Sequence, residues 1–93
     1  MAKISDNKDR QRFEMLVDGQ ITFVRYRRAD GVVMLDHAEV PRELEGRGIG
    51  GELVAATLDA LRAEGAKVIP RCSFVAAYLR RHAKEYGDMV VKG

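Results

Sequence analysis

Apolar residues recur with a period of two as far as Val40 and with a period of 3.6 beyond Gly50, and four glycines stand where the pattern changes. The first period is that of a strand with one buried face, the second that of an amphipathic helix. The chain must therefore pass from sheet to helix through Val40-Pro41-Arg42-Glu43-Leu44-Glu45-Gly46-Arg47-Gly48-Ile49-Gly50-Gly51-Glu52-Leu53. Glycine weakens helices, so so many at a helix start need a compensating use. Either they form an exposed surface loop, or they leave backbone N–H groups open to an anion. A helix start offers unpaired donors and a partial positive charge that suit a phosphate.

The rest of the chain can be read outward from this corner. Residues 1–11 are polar and read as a loose arm, and 12–93 as one domain. Phe13, Met15 and Val17 lie on one face of a first strand that ends at the hairpin turn Asp18-Gly19. Gln20 to Arg28 forms a second strand, and Ala29-Asp30-Gly31 a second turn. Val32 to Val40 forms a third, with Val33, Leu35, His37 and Glu39 on one side and Met34, Asp36 and Ala38 on the other. Leu53, Val54, Thr57, Leu58 and Leu61 mark the buried face of the helix that follows, and Gly65 lies just past its end. Lys67 to Arg71 is a fourth strand. Ser73 is placed to cap a second helix reaching about Lys84, with Val75, Tyr78, Leu79 and His82 on its apolar side, and Met89 to Val91 adds a last strand. The order β-β-β-α-β-α-β predicts an α+β fold: a mixed, mostly antiparallel twisted sheet with two helices.

Composition narrows the function classes. At 93 residues the chain fits one domain, and a formal charge of +2 does not imply a long nucleic-acid footprint. One cysteine cannot form an internal disulfide, the first residues are too polar for a signal peptide, and no apolar run approaches the roughly 20 residues that span a bilayer. The expectation is a cytoplasmic protein with no membrane partner and no metal.

Three phosphate-binding patterns can be tested on the glycines. A Walker A loop needs Lys-Ser or Lys-Thr after its second framing glycine, but Glu52-Leu53 follows Gly51. Gly46, Gly48 and Gly51 satisfy the dinucleotide spacing G-x-G-x-x-G, yet that motif directly follows a strand in a parallel unit, and here Pro41 to Glu45 intervene after a meander. The third pattern is an acyl-coenzyme A pyrophosphate loop. Glu45-Gly46-Arg47-Gly48-Ile49-Gly50 resembles the signature Q/R-x-x-G-x-G/A of the Gcn5-related N-acetyltransferase superfamily, with Glu in place of Gln or Arg at the first position. Together with Asp36-His37-Ala38-Glu39-Val40-Pro41 before it and Val68-Ile69-Pro70-Arg71-Cys72-Ser73-Phe74-Val75 after it, the chain resembles the very short, YjdJ-like subgroup from about Arg12 to Lys92.

That resemblance implies a V-shaped slot for acetyl-CoA between two splayed strands, and direct acetyl transfer to an amine acceptor. It implies pantetheine pairing with the backbone of Ala38 to Val40, and pyrophosphate on the N–H groups of Glu45, Gly46, Arg47, Gly48, Ile49, Gly50 and Gly51. Arg42 and Arg47 are candidate phosphate partners or ordinary solvated charges. His37 and Glu39, two apart on a strand, share a face, and either could accept the amine proton; otherwise His37 is a packed core residue and Glu39 an edge carboxylate. Cys72 precedes a helix start, which favours a thiolate, although a lone Cys after an apolar strand is commonly a small buried hydrophobe. In the related pattern N-x-x-A-x-x-L-Y, Ser73 stands for Asn and Arg80 for the Tyr that serves as general acid, so Arg80 becomes a candidate phosphate ligand. Two other readings stay open: a CoA or acyl-CoA-binding module without turnover, and a nucleic-acid-binding domain using Arg25, Arg27, Arg28, Arg80, Arg81 and Lys84.

Overall fold

Asp18 and Gly19 have φ of 50° and 76°, and Asp30 and Gly31 have 52° and 79°. Two successive left-handed residues make the two-residue hairpin turn whose twist matches the strands it joins. In a computed structural model that describes residues 3–91, these turns link β2 (Arg12–Val17), β3 (Gln20–Ala29) and β4 (Val32–Glu39) into an antiparallel meander. β1 (Ile4–Asn7) pairs antiparallel with β2 at one edge. α1 (Ile49–Ala63) then carries the chain back, so that β5 (Lys67–Pro70) runs parallel to β4 and the sheet order is β1-β2-β3-β4-β5. The fold is α+β, as expected.

α1 buries Ile49, Leu53, Val54, Thr57, Leu58 and Leu61 against Phe13, Met15, Val24, Tyr26, Val33 and Leu35 of the sheet. α2 (Ser73–Arg81) adds Val75 and Leu79 to the same core. The buried polar groups are satisfied locally: Thr22 Oγ1 donates to Met15 O and Thr57 Oγ1 to Leu53 O, each at 2.8 Å. Every described element outside the sheet packs on this one face, which leaves the opposite face of the sheet bare.

Five expectations need correction. Ile4–Asn7 is an edge strand rather than part of a loose arm, because its polar side chains have partners: Asp6 accepts from Tyr26 Oη at 2.5 Å, and Asn7 donates to Glu14 at 3.1 Å. The second helix stops at Arg81, since His82 has φ −115° and ψ 35°, and a separate turn α3 (Ala83–Tyr86) follows. The break aims Tyr86 beneath α1, where its hydroxyl donates to Asp59 at 2.8 Å. Cys72, not Ser73, occupies the cap position of α2, with no side-chain cap bond. The last strand shrinks to one bridge, Val68 with Val90, because a 3-10 turn occupies Gly87–Met89.

The fifth correction bears on function. Arg25 pairs with His37 but Tyr26 pairs with Leu35, so Asp36 is an extra residue in β4. A bulge of this kind shifts the alternation by one. Val33 and Leu35 point into the core, whereas His37 and Glu39 stand on the bare face beside Arg25 and Phe23, and not with Val33 and Leu35 as expected. Arg27 holds the bulge residue through two bonds to Asp36, at 2.6 and 3.1 Å, and keeps its carboxyl below the usual carboxylate range.

Candidate active site

β4 and β5 pair only from Val32–Lys67 to Leu35–Pro70 and then part. β4 runs on to Glu39, while the chain after Pro70 turns into α2. Leu35 O holds that corner, accepting from the backbone N–H groups of Arg71 at 2.9 Å and Cys72 at 3.0 Å. Beyond it the edge of β4 facing β5 has no strand partner among the described residues. The wedge opens into a cavity of about 720 Å³ between the end of β4, the glycine loop with the start of α1, and one face of α2.

The loop wall is fixed from below by a 3-10 turn, Arg42–Leu44, whose Leu44 is buried and whose N–H bonds Pro41 O at 2.9 Å. Gly46 and Gly48 then adopt φ of 82° and 74°, and a Cβ at either would meet nothing within 4 Å. Glycine is needed there for its backbone, not for space. Gly50 is the reverse: a Cβ would lie 2.7 Å from Cζ of Phe74, so its absence makes room for the ring. Gly48 caps α1 without a side chain, and the amides of Ile49, Gly50 and Gly51 have no acceptor within the helix. Three N–H groups at the positive end of a 15-residue helix thus border the cavity.

The α2 wall consists of Phe74, Ala77, Tyr78, Arg81 and His82. Their spacing, i, i+3, i+4, i+7, i+8, is that of one helix face. The Tyr78 and His82 rings stack with centroids 4.1 Å apart. Burial, with the Glu85 and Asp59 carboxylates adding, pushes the Tyr78 phenol up, so its hydroxyl is protonated at neutral pH.

Of the residues singled out in the sequence, Ala38, Glu39, Val40, Glu45, Gly46, Gly48, Ile49, Gly50 and Gly51 line the cavity. His37 does not line it, but its Nε2 lies 3.2 Å from Glu39 Oε1, so the pair meets at the cavity edge. Cys72 sits at the corner where the strands part, half-buried against the core. Arg47 is paired with Asp18 of the β2–β3 turn at 2.6 Å. Arg42, Ser73 and Arg80 are exposed and outside the lining, and the α2 cation at the cavity is Arg81. Sequence reasoning missed Leu44, Phe74, Ala77, Tyr78, Arg81 and His82 as lining residues. The i, i+3, i+4 spacing on α2 was available to find the last five. Of the arginines considered for nucleic acid, Arg27 is paired with Asp36, and Arg28 with Glu64 and Asp6. Among the described residues no helix is long and apolar enough to cross a membrane, and no His, Cys, Asp and Glu cluster is arranged for a metal.

No curated protein matches the chain. Among solved structures it is similar to the solution structure of a GCN5-like predicted N-acetyltransferase from Staphylococcus aureus. That match has 26% identity and a TM-score of 0.68, and it covers 98% of this chain and 89% of the other. The family model described as GCN5-related N-acetyl-transferase matches residues 12–89, from the first strand of the meander to the turn after α3. With parted strands, a glycine-capped helix start and a match over most of its length, the chain belongs to the GCN5-related N-acetyltransferase family.

Proposed function

We propose that the protein binds acetyl-CoA in the wedge between β4 and α2 and transfers the acetyl group directly to an amine. The observation that carries this reading is the cavity of about 720 Å³ whose walls are an unpaired strand edge on one side and a glycine-capped helix start on the other. A strand edge offers the N–H and C=O pattern that an amide-bearing arm can join, and Ala38 to Val40 supply it. The N–H groups of Ile49, Gly50 and Gly51 suit a pyrophosphate. Arg81 is the cation at the cavity, and Arg42 and Arg47 are within the loop that borders it; Arg47 would exchange Asp18 for a phosphate.

Acetyl-CoA supplies a thioester carbonyl: the amine nitrogen bonds to its carbon, the carbon–sulfur bond breaks, and the electron pair leaves with sulfur. Glu39 takes the proton the amine loses, directly or through water, and His37 at 3.2 Å passes it outward to solvent. The Tyr78 hydroxyl, protonated and at the cavity, is available to the departing thiolate. Cys72 shapes the corner by its backbone bond to Leu35 and needs no covalent role. A free thiol fits a reducing compartment, so we place the activity in the cytoplasm.

Thermal unfolding with and without acetyl-CoA tests this, with 3′-dephospho-CoA and NAD as controls. Ligand at 100 times its Kd adds about 2.7 kcal/mol, which in a domain of this size raises Tm on the order of 10 °C. A rise with acetyl-CoA and not with NAD supports the site; no rise at saturating acetyl-CoA removes it. Release of free CoA thiol on adding an amine then separates turnover from binding alone.

A further inference from the structure

We infer that the acceptor is a polypeptide lysine with a bulky apolar side chain nearby in its sequence, docked on the bare face of the sheet. This rests on the acetyl-transfer reading above and names the class of amine it acts on. The bulge at Asp36 turns His37 and Glu39 onto the face that no described helix covers, and Glu39 also borders the cavity. Glu39 is therefore the residue at which the acetyl-CoA wedge meets the open side of the sheet.

On that side the Glu39 carboxylate is continuous with an apolar stripe. Phe23 is the cross-strand partner of Glu39, and its ring meets the His37 ring edge-on at 6.2 Å. Two residues along β3 from Phe23 stands Ile21, paired across to Leu16 on β2. Ile21 is 46% exposed and Leu16 61%, and the third large exposed hydrophobic side chain among the described residues, Phe74, lies in the cavity. Hydrophobic residues exposed singly need no explanation, but two adjacent ones, joined to a candidate base through the half-buried Phe23 whose ring the Arg12 guanidinium covers at 4.4 Å, do. The strand rise and inter-strand spacing put Leu16 and Ile21 roughly 8–12 Å from Glu39. A small amine engaged by Glu39 does not reach them; a peptide whose lysine ammonium meets that carboxylate does, with a side chain two to four residues away. Opposite charge fixes the lysine, and the stripe selects what flanks it.

The test compares two acceptor peptides that differ only in whether Leu or Ser stands three residues from the single lysine, with a small polyamine as a third acceptor. Acetylation rates are measured for the unmodified protein and for a Leu16→Ser, Ile21→Ser double variant, whose changes lie on the exposed face. For the unmodified protein we expect kcat/KM about tenfold higher for the Leu peptide, most of it in KM, and a ratio near one for the double variant. Equal rates for the two peptides, or a preference that survives the double substitution, overturns the proposal while acetyl transfer stands. Saturable turnover of the polyamine with neither peptide acetylated does the same. If acetyl-CoA is consumed with no acceptor and raises no Tm, the underlying reading falls and this one with it. Sedimentation of the free protein completes the set: a dimer that the double substitution dissociates assigns the stripe to a second copy and overturns peptide docking.

Discussion

Glu39 joins the cavity to the bare sheet face, and a single atom change there is informative. Glu39→Gln keeps size and most hydrogen bonding but cannot take a proton. We expect kcat to fall by about 100-fold with the Kd for acetyl-CoA unchanged, measured by thiol release and by ligand titration. A fall of less than threefold would remove Glu39 as the base. The glycines separate in the same way. Gly48→Ala forces a side chain into a left-handed backbone and is expected to cost about 1 kcal/mol, a Tm loss of roughly 4–8 °C. Gly50→Ala meets only the far end of the Phe74 ring, which is 48% exposed and can swing aside, so it should cost less. Equal losses would contradict the assignment of one glycine to backbone and the other to space. The sequence placed His37 and Glu39 on a common face, but the face itself was inverted, because one extra residue at Asp36 leaves no trace in a pattern of alternation. Arg80 was read from a motif position; the helix turns that residue to solvent and Arg81 to the cavity.

At the scale of elements, the meander was legible because two Asp-Gly turns and clean alternation specify it, and α1 because its apolar stripe runs without interruption from Leu53 to Leu61. The edge strand Ile4–Asn7 was not, since its stability comes from Tyr26 and Glu14, partners distant in sequence. The end of α2 was missed for the same kind of reason: the break at His82 serves Tyr86, which reaches Asp59 on α1. That contact carries a pH signature. Burial and then the Asp59 hydrogen bond push the Tyr86 phenol up to about 12. The folded state thus holds this proton more tightly than the unfolded chain, so the stabilisation is complete below about pH 10 and declines as pH rises toward 12. Tyr86→Phe should be less stable at pH 8 and lose less between pH 9.5 and 11.5, as followed by Tm. Parallel curves for the two proteins would show that the phenol proton is not linked to folding.

At the scale of the molecule, the described helices cover one face of the sheet only, and two kinds of strand pairing meet along β4. On its β3 side the ladder closes across a two-residue turn; on its β5 side the partner arrives only after the whole of α1. Local pairings form at little entropic cost, and the non-local one must wait for α1 to fold back. The two sides of β4 therefore differ in when they form. The meander is expected early, and the four-residue parallel seam that opens the wedge is expected late, after the folding transition state. A ligand that needs both walls of the wedge then has nothing to hold until the barrier is crossed. In chevron kinetics acetyl-CoA should slow the unfolding arm in proportion to its stabilisation and leave the refolding arm where it was. A refolding rate that rises with acetyl-CoA would put the wedge in the nucleus instead. If acetyl-CoA binds as proposed, the seam that makes room for it also ties the protein's lifetime to occupancy: a loaded copy is expected to persist longer than an empty one.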